Sequence, residues 1–358
     1  MQLKLFAALC TALLSLPNAT ATTVRVHYDA GKDQVEIRSD KGAPTWSKGV
    51  AATRDMGNVW SYTWPDALGD ITMKPALGGD RVSVGGTYKL AAGSTLDIHP
   101  FFGAPFGKIK MVSAFASPQL SNTRNLRIYL PPSYDENRAK RYPVLYMHDG
   151  QNLFDAKSAS FGVEWGIDES MNRLIATGKM DEVIVVGIDN TTERIPEYTP
   201  CCDPKYGGGR LDAYMRFVVE TVKPYVDANL RTLPGKDSTA IMGSSLGGLA
   251  SVYIAQRNPT VFSKAGGVSS SFWWNKGAMI GKPHARVPVR FYIDAGTRDD
   301  GLEESMQMRD LMVKQGYVPE SDLLFFTDQG GGHNEKSWAA RVEKPLLWFF
   351  PWSGTGGQ

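Results

Sequence analysis

Two adjacent serines stand between glycines in "TAIMGSSLGGLAS", residues 239–251, directly after a short apolar run. A serine hydroxyl attacks a carbonyl only with a base beside it, and the carbonyl oxygen, as it gains charge, needs amide donors aimed at it. Gly-x-Ser-x-Gly, present as Gly243-Ser244-Ser245-Leu246-Gly247, meets the second need when it forms a sharp strand-to-helix turn. Alone, the pentapeptide reads as a plain glycine-rich turn. Its flanks decide the matter. "STAIM" has the pattern of a strand, and "LGGLASVYIAQRNP" that of a helix ending before Asn258-Pro259. Gly243 and Gly247, lacking a β-carbon, let strand and helix approach while the middle residue takes the strained backbone. Ser245 is therefore the candidate nucleophile, and the Leu246 amide, at the positive end of the helix dipole, the first oxyanion donor.

The chain has five histidines. Where such an elbow carries a triad, the order is serine, acid, histidine, which removes His27, His99 and His148. His284, in "GKPHARVPV", enters a strand at its amino end, the wrong edge of a parallel sheet. His333, in "GGGHNEKSW", follows the last expected strand, "DLLFFTDQ", at the right edge. The acid belongs in the loop after the preceding strand, "VRFYIDAGTRDD", where it would fix the imidazole tautomer and stabilise the imidazolium. Asp299 is favoured, with Asp300 and Asp294 as alternatives. A second oxyanion donor usually follows an earlier strand; "PVLYMHDGQNLFD" supplies it, Gly150 permitting close backbone approach and Gln151 donating its amide. His148 and Asp149 precede that turn and are read as loop supports or substrate contacts.

The elements that must position these groups fall into two parts. Residues 22–103 read as a small all-β sandwich. "TVRVHYDAG", "DQVEIRSD", "NVWSYTWPD", "DITMKPAL" and "YKLAAGSTLDI" alternate between turn signals, with no helical periodicity. Trp60, Tyr62 and Trp64 share one face of a strand; they are either the inner face of the sandwich or a platform for sugar rings. Trp46, in the loop-like "APTWSKG", is the better sugar candidate. After the Gly-, Pro- and Phe-rich junction 99–110, residues 108–352 alternate apolar strands with amphipathic helices, such as 211–231. That pattern implies an α/β fold with a mostly parallel sheet, whose site lies at the carboxyl ends of the strands.

The remaining composition bounds the function. With 358 residues, 42% hydrophobic and 21% charged, and a net charge of +2, nothing points to nucleic acid or an acidic membrane. Residues 1–21 read as a cleaved export signal. Lys4 precedes an apolar run too short to span a bilayer, and Ala19-Thr20-Ala21 fits a cleavage site. Export to the periplasm or the outside is the expectation, with no membrane span elsewhere. Cys201 and Cys202 are too few for a metal site and are either a vicinal disulfide or two thiols.

The sequence at this point resembles a known family. "YLPPSYDENRAKRYPVLYMHDGQNLFD", "KPYVDANLRT", "IMGSSLGGLAS", "NPTVFSKAGGVSSSFWW", "DAGTRD" and "GGHNEKSW" are similar, in order, to esterase D, enterochelin esterases, bacterial feruloyl esterases and related acyltransferases. The resemblance implies an α/β-hydrolase fold whose nucleophile, acid and base match Ser245, Asp299 and His333, and no metal or organic cofactor. Leu246 stands where many relatives carry Met, and some relatives work with only a Ser-His pair. The first part resembles immunoglobulin-like or starch-binding-like modules. The expected activity is ester hydrolysis on small-molecule or polysaccharide esters, acetyl or feruloyl, with a siderophore trilactone, acyl transfer, or binding of carbohydrate without catalysis as alternatives. Trp165, Phe272, Trp273 and Trp274 are candidates for an aromatic substrate pocket or for core. The loop "NTTERIPEYTPCCDPKYGGGR" is expected to overhang the site, with Arg194 and Glu197 candidates to pair with each other.

Overall fold

The computed structural model describes residues 21–65, 68–282 and 284–355. The export signal read from residues 1–21 lies, but for Ala21, outside the described residues. Between Thr22 and Ile98 the short alternating runs pair into two sheets. Strands Thr53–Arg54, Val59–Trp64, Thr22–His27 and Thr95–Ile98 form one in that order. Val50–Ala51, Val35–Ser39, Ile71–Leu77 and Arg81–Val82 form the other, with Tyr88–Leu90 also pairing to Ile71–Leu77. Their inward side chains, among them Val24, Val26, Ile37, Met73 and Leu90, make one core. Trp60 and Trp64 belong to it, their indole N–H groups donating to the carbonyls of Tyr28 and Lys41. They are not a sugar platform, because a sandwich this small needs its largest side chains inside. The run 88–98 is two strands, not one: it turns at Ala91–Ser94 and crosses from one sheet to the other.

Residues beyond the junction build an eight-stranded sheet. Its strands, numbered along the chain, are β1 (Lys108–Ser117), β2 (Asn122–Leu130), β3 (Val144–His148), β4 (Ile184–Ile188), β5 (Thr239–Ser244), β6 (Lys264–Val268), β7 (Arg290–Arg298) and β8 (Leu323–Gly332). Their spatial order is β1-β2-β4-β3-β5-β6-β7-β8. β2 pairs antiparallel with both its neighbours, and every pairing from β4 to β8 is parallel. This is the order of the α/β-hydrolase sheet. β3, β4 and β5 are buried along their whole length, as strands covered on both faces must be. The amphipathic run 211–231 is a helix from Leu211 to Asn229 whose middle, Phe217–Val222, is π-helical. The Lys223 amide closes that stretch on the Val218 carbonyl, five residues back, and Pro224, which has no N–H, comes next.

The sandwich is seated on the α/β part by two separate groups of contacts. In one, Glu136 accepts from the Phe102 and Gly103 amides and the Tyr28 hydroxyl, and Asn137 donates to the His27 and Pro100 carbonyls. In the other, Trp352 packs edge-on against Tyr88 and donates to the Thr87 carbonyl, while the Lys89 amide donates to Gly354.

Candidate active site

β5 ends at Ser244, the helix Leu246–Arg257 begins two residues on, and Ser245 between them sits at φ 57°, ψ −122°. A non-glycine residue there is strained and must be held. Its amide donates to the Val268 carbonyl and its own carbonyl accepts from the Ser271 and Leu249 amides. A β-carbon on Gly243 would come within 2.8 Å of the Gly247 carbonyl carbon, and one on Gly247 within 3.1 Å of His148 Cβ. The two glycines are thus required by the closeness of strand, helix and the His148 ring. Leu246 is the first helical residue, so its N–H has no partner within the helix. Gln151 follows β3 in the short 3-10 turn Gly150–Asn152, entered through Asp149 at φ 56°. Its side chain is turned aside, contacting the Ser160 hydroxyl and the Asn190 amide.

His333 follows the end of β8. Its Nε2 lies 2.9 Å from Ser245 Oγ and its Nδ1 2.7 Å from Asp300 Oδ1. The carboxylate on the imidazole is Asp300, not Asp299. β7 runs on to Arg298 beside β8 rather than ending near Gly296, and Asp299 turns left-handed at φ 46°, so the next residue points inward. Asp294, still in β7, is also not the partner. It is fully buried and accepts from both Tyr292 and Arg341. The second oxygen of Asp300 accepts from the Ser269 hydroxyl at 2.6 Å, the Gly296 amide and Arg341 Nη2. Arg341, 3% exposed, also reaches Asp328 and Ser269, and Trp338 donates to the same Ser269 hydroxyl. Burial opposes ionisation of Asp300, but the hydrogen bonds from His333, Ser269 and the Gly296 amide prevail and hold its pKa below the ordinary carboxylate value.

Two clefts open beside Ser245 and His333. The larger, about 430 Å³, has Asp149, Asn152, Phe161, Asn190, Arg194 and Glu335 in its walls. Asp149 accepts two hydrogen bonds from Arg194, both 2.8 Å, and one from Asn190. Its burial is outweighed by Arg194, so its pKa is lowered, while burial raises that of Glu335. The smaller cleft, about 300 Å³, lies toward Ser271, Trp273, Asp299 and Gly301.

The other expected site residues divide accordingly. Asp149 and Trp273 line the clefts. His148 does not: it is buried behind the elbow, its Nδ1 2.8 Å from the Tyr214 hydroxyl, and burial lowers its pKa to about 4. Trp165 and Phe272 are buried in the two cores flanking the sheet, and Trp274 is buried with its indole N–H on the Pro200 carbonyl. Of the three successive aromatic residues 272–274, Trp273 alone is exposed. Trp46 is exposed on a sandwich loop. Arg194 and Glu197 do not pair with each other, since Glu197 is fully buried against Arg124. Cys201 and Cys202 are joined as a disulfide. Ser269, Trp338 and Arg341 carry no local motif and were not expected at the site.

A family model described as "Putative esterase" matches residues 117–349. The uncharacterized protein YbbA of Bacillus subtilis is 23% identical over 65% of this chain and 95% of its own length. An endo-1,4-beta-xylanase/feruloyl esterase of Xylanibacter ruminicola is 26% identical over 66% of this chain, but the match takes in only 31% of that protein. Among solved structures, a ferulic acid esterase superposes with a TM-score of 0.54 at 22% identity, covering 68% of this chain and 98% of that one. The enterobactin esterase FES of Shigella flexneri gives 0.54 at 17% identity, covering 88% and 87%. These structures share the fold.

Proposed function

The chain belongs to the esterase family of carboxylic ester hydrolases, and on that premise we propose that it acts through an acyl-enzyme on Ser245. The observation that carries the reading is the unbroken line from Ser245 Oγ through His333 to Asp300. His333 Nε2 takes the Ser245 proton as Oγ bonds the ester carbonyl carbon. The Leu246 and Gln151 amides hold the oxyanion, and the imidazolium, paired with Asp300, returns its proton to the departing alcohol oxygen. Water activated by the same imidazole then releases the acid. The substrates in this reading are acetyl or feruloyl esters of polysaccharides, met outside the cytoplasm. The feruloyl esterase named among the relatives supports this, as does a cleft beside Ser245 with the polar groups Asp149, Asn190, Arg194 and Glu335 in its walls.

A siderophore lactone is the second reading. The likeness to the enterobactin esterase covers more of the chain than the two thirds formed by residues 108–352, and a siderophore enterobactin esterase of Emericella nidulans is 30% identical over 38% of the chain. Labelling by a fluorophosphonate, lost in Ser245→Ala, tests the nucleophile; equal labelling of both proteins overturns it. Turnover on acetylated xylan, methyl ferulate and enterobactin then decides the substrate.

A further inference from the structure

We propose that Arg194, reaching in from the segment that follows β4, is a positioning residue for the oxyanion: it holds Asp149 in the backbone conformation that aims the Gln151 amide at Ser245. The inference rests on the acyl-enzyme reading above and extends it to a side chain that takes no proton and bonds no carbon of the ester. Asp149 opens the turn Gly150–Asn152 at φ 56°, ψ 47°, in the left-handed region. A residue with a β-carbon leaves that region unless its surroundings hold it. Gly150 is pressed against β4, where a β-carbon on it would lie 2.6 Å from the Gly187 carbonyl carbon. The turn therefore has a fixed back and one strained entrance. Relaxation of Asp149 rotates the peptide planes that follow it, and the next side-chain-bearing residue they carry is Gln151, the oxyanion donor.

Segment 190–198 supplies the grip. Arg194 Nε and Nη2 each lie 2.8 Å from a different Asp149 oxygen, a two-point pairing that fixes the carboxylate in direction as well as distance. Asn190 Nδ2 adds a third donor at 2.6 Å, the Tyr198 hydroxyl accepts from the Asp149 amide, and the Asn190 amide donates to Gln151 Oε1. The one-turn helix Arg194–Tyr198 is itself anchored through Glu197, fully buried, which pairs at two points with Arg124 of β2. Arg124 with Glu197 and Arg194 with Asp149 thus make two successive paired-charge links from the sheet to the turn beside Ser245. Lysine at 194 would supply the charge but not the second bond. Arg194 also borders the larger cleft, so direct contact with substrate is the rival role, and the two roles differ in what they do to KM.

Two variants test this on p-nitrophenyl acetate: Arg194→Lys, which keeps the charge, and Arg194→Met with Asp149→Asn, which leaves no buried carboxylate unpaired. Rates are taken per active site, counted by fluorophosphonate labelling, so that unfolded molecules drop out. Loss of a whole oxyanion donor costs about 10²–10³-fold in kcat, which sets the ceiling. The expected losses in kcat are about tenfold for the first variant and about 100-fold for the second, with KM within about twofold of wild type. Affinity for a trifluoromethyl ketone, whose adduct with Ser245 carries the same oxyanion, is expected to fall by the same factors. Unchanged kcat and ketone affinity in both variants overturn the proposal, as does a raised KM at unchanged kcat, which makes Arg194 a substrate contact. If the double variant does not fold, Arg194→Lys decides alone. Wild type that takes no label at Ser245 removes the acyl-enzyme reading and the proposal with it; label without the loss in kcat removes the proposal only.

Discussion

Acid should weaken this fold partly through His148, a buried residue that lines neither cleft. Its ring fills the space behind the two elbow glycines, 2% exposed, and burial takes its pKa from 6.5 to about 4. The unfolded chain therefore binds a proton as pH falls below about 6.5, and the folded chain does not until about 4. Stability is full above that window and declines through it. Each pKa unit is worth about 1.4 kcal/mol, so the loss from this one group amounts to about 3 kcal/mol between pH 7 and pH 4. Paired carboxylates such as Asp300 also lose stability in acid, so the measurement must be a difference. His148→Phe keeps the volume and cannot be protonated; it strands the Tyr214 hydroxyl and should be less stable than the wild type at pH 7 by about 1–3 kcal/mol. Urea unfolding at a series of pH values should then show the gap closing by about 3 kcal/mol toward pH 4. Curves that stay parallel would refute the reasoning and mean that the ring is hydrated or charged in the folded state.

Other expectations concern the carboxylates around His333. Asp300→Asn should lower kcat by about 10³–10⁴-fold, as the loss of the carboxylate that orients the imidazole does elsewhere; steady-state assay beside Asp299→Asn should find the first loss at least about 100-fold the greater. Arg341→Met leaves Asp294 and Asp328 buried or half-buried without their cation and should cost about 3–5 kcal/mol in urea unfolding. Adding Asp294→Asn should recover part of it, and a double variant no more stable than the single would show that the ion pair is not what Arg341 supplies.

The elbow and the histidine were legible because each is written locally: glycines two positions either side of Ser245, a strand before, a helix after, and a glycine run that lets His333 bend in. The acid was missed by one residue because the end of β7 is set by its partner. β8 carries the ladder on to Arg298, and only then does the left-handed Asp299 present Asp300. β6 was invisible for a related reason. "KAGGV" has poor strand propensity, yet it is a central strand because Met242 packs so closely that a β-carbon on Gly266 would lie 2.7 Å from its Cγ. The aromatic residues misled in the opposite direction. Trp60, Trp64, Trp165, Phe272 and Trp274 are all large enough to serve a pocket, but burial is what large apolar groups do by default, and nothing in the sequence separates Trp273, exposed at a cleft, from its buried neighbours Phe272 and Trp274. Arg341 is a buried cation recruited by three acids from two neighbouring strands and the loop after the first of them, a meeting that only the tertiary structure arranges.

Glu136 with Asn137, and Trp352 with Gly354, grip the sandwich at two places that are far apart along the chain. A module tied by one linker can swivel and sweep a cone; one bolted at two points keeps a fixed heading. The second grip removes that freedom, so a substitution that frees only Glu136 or only Trp352 leaves the sandwich still tied at the other place.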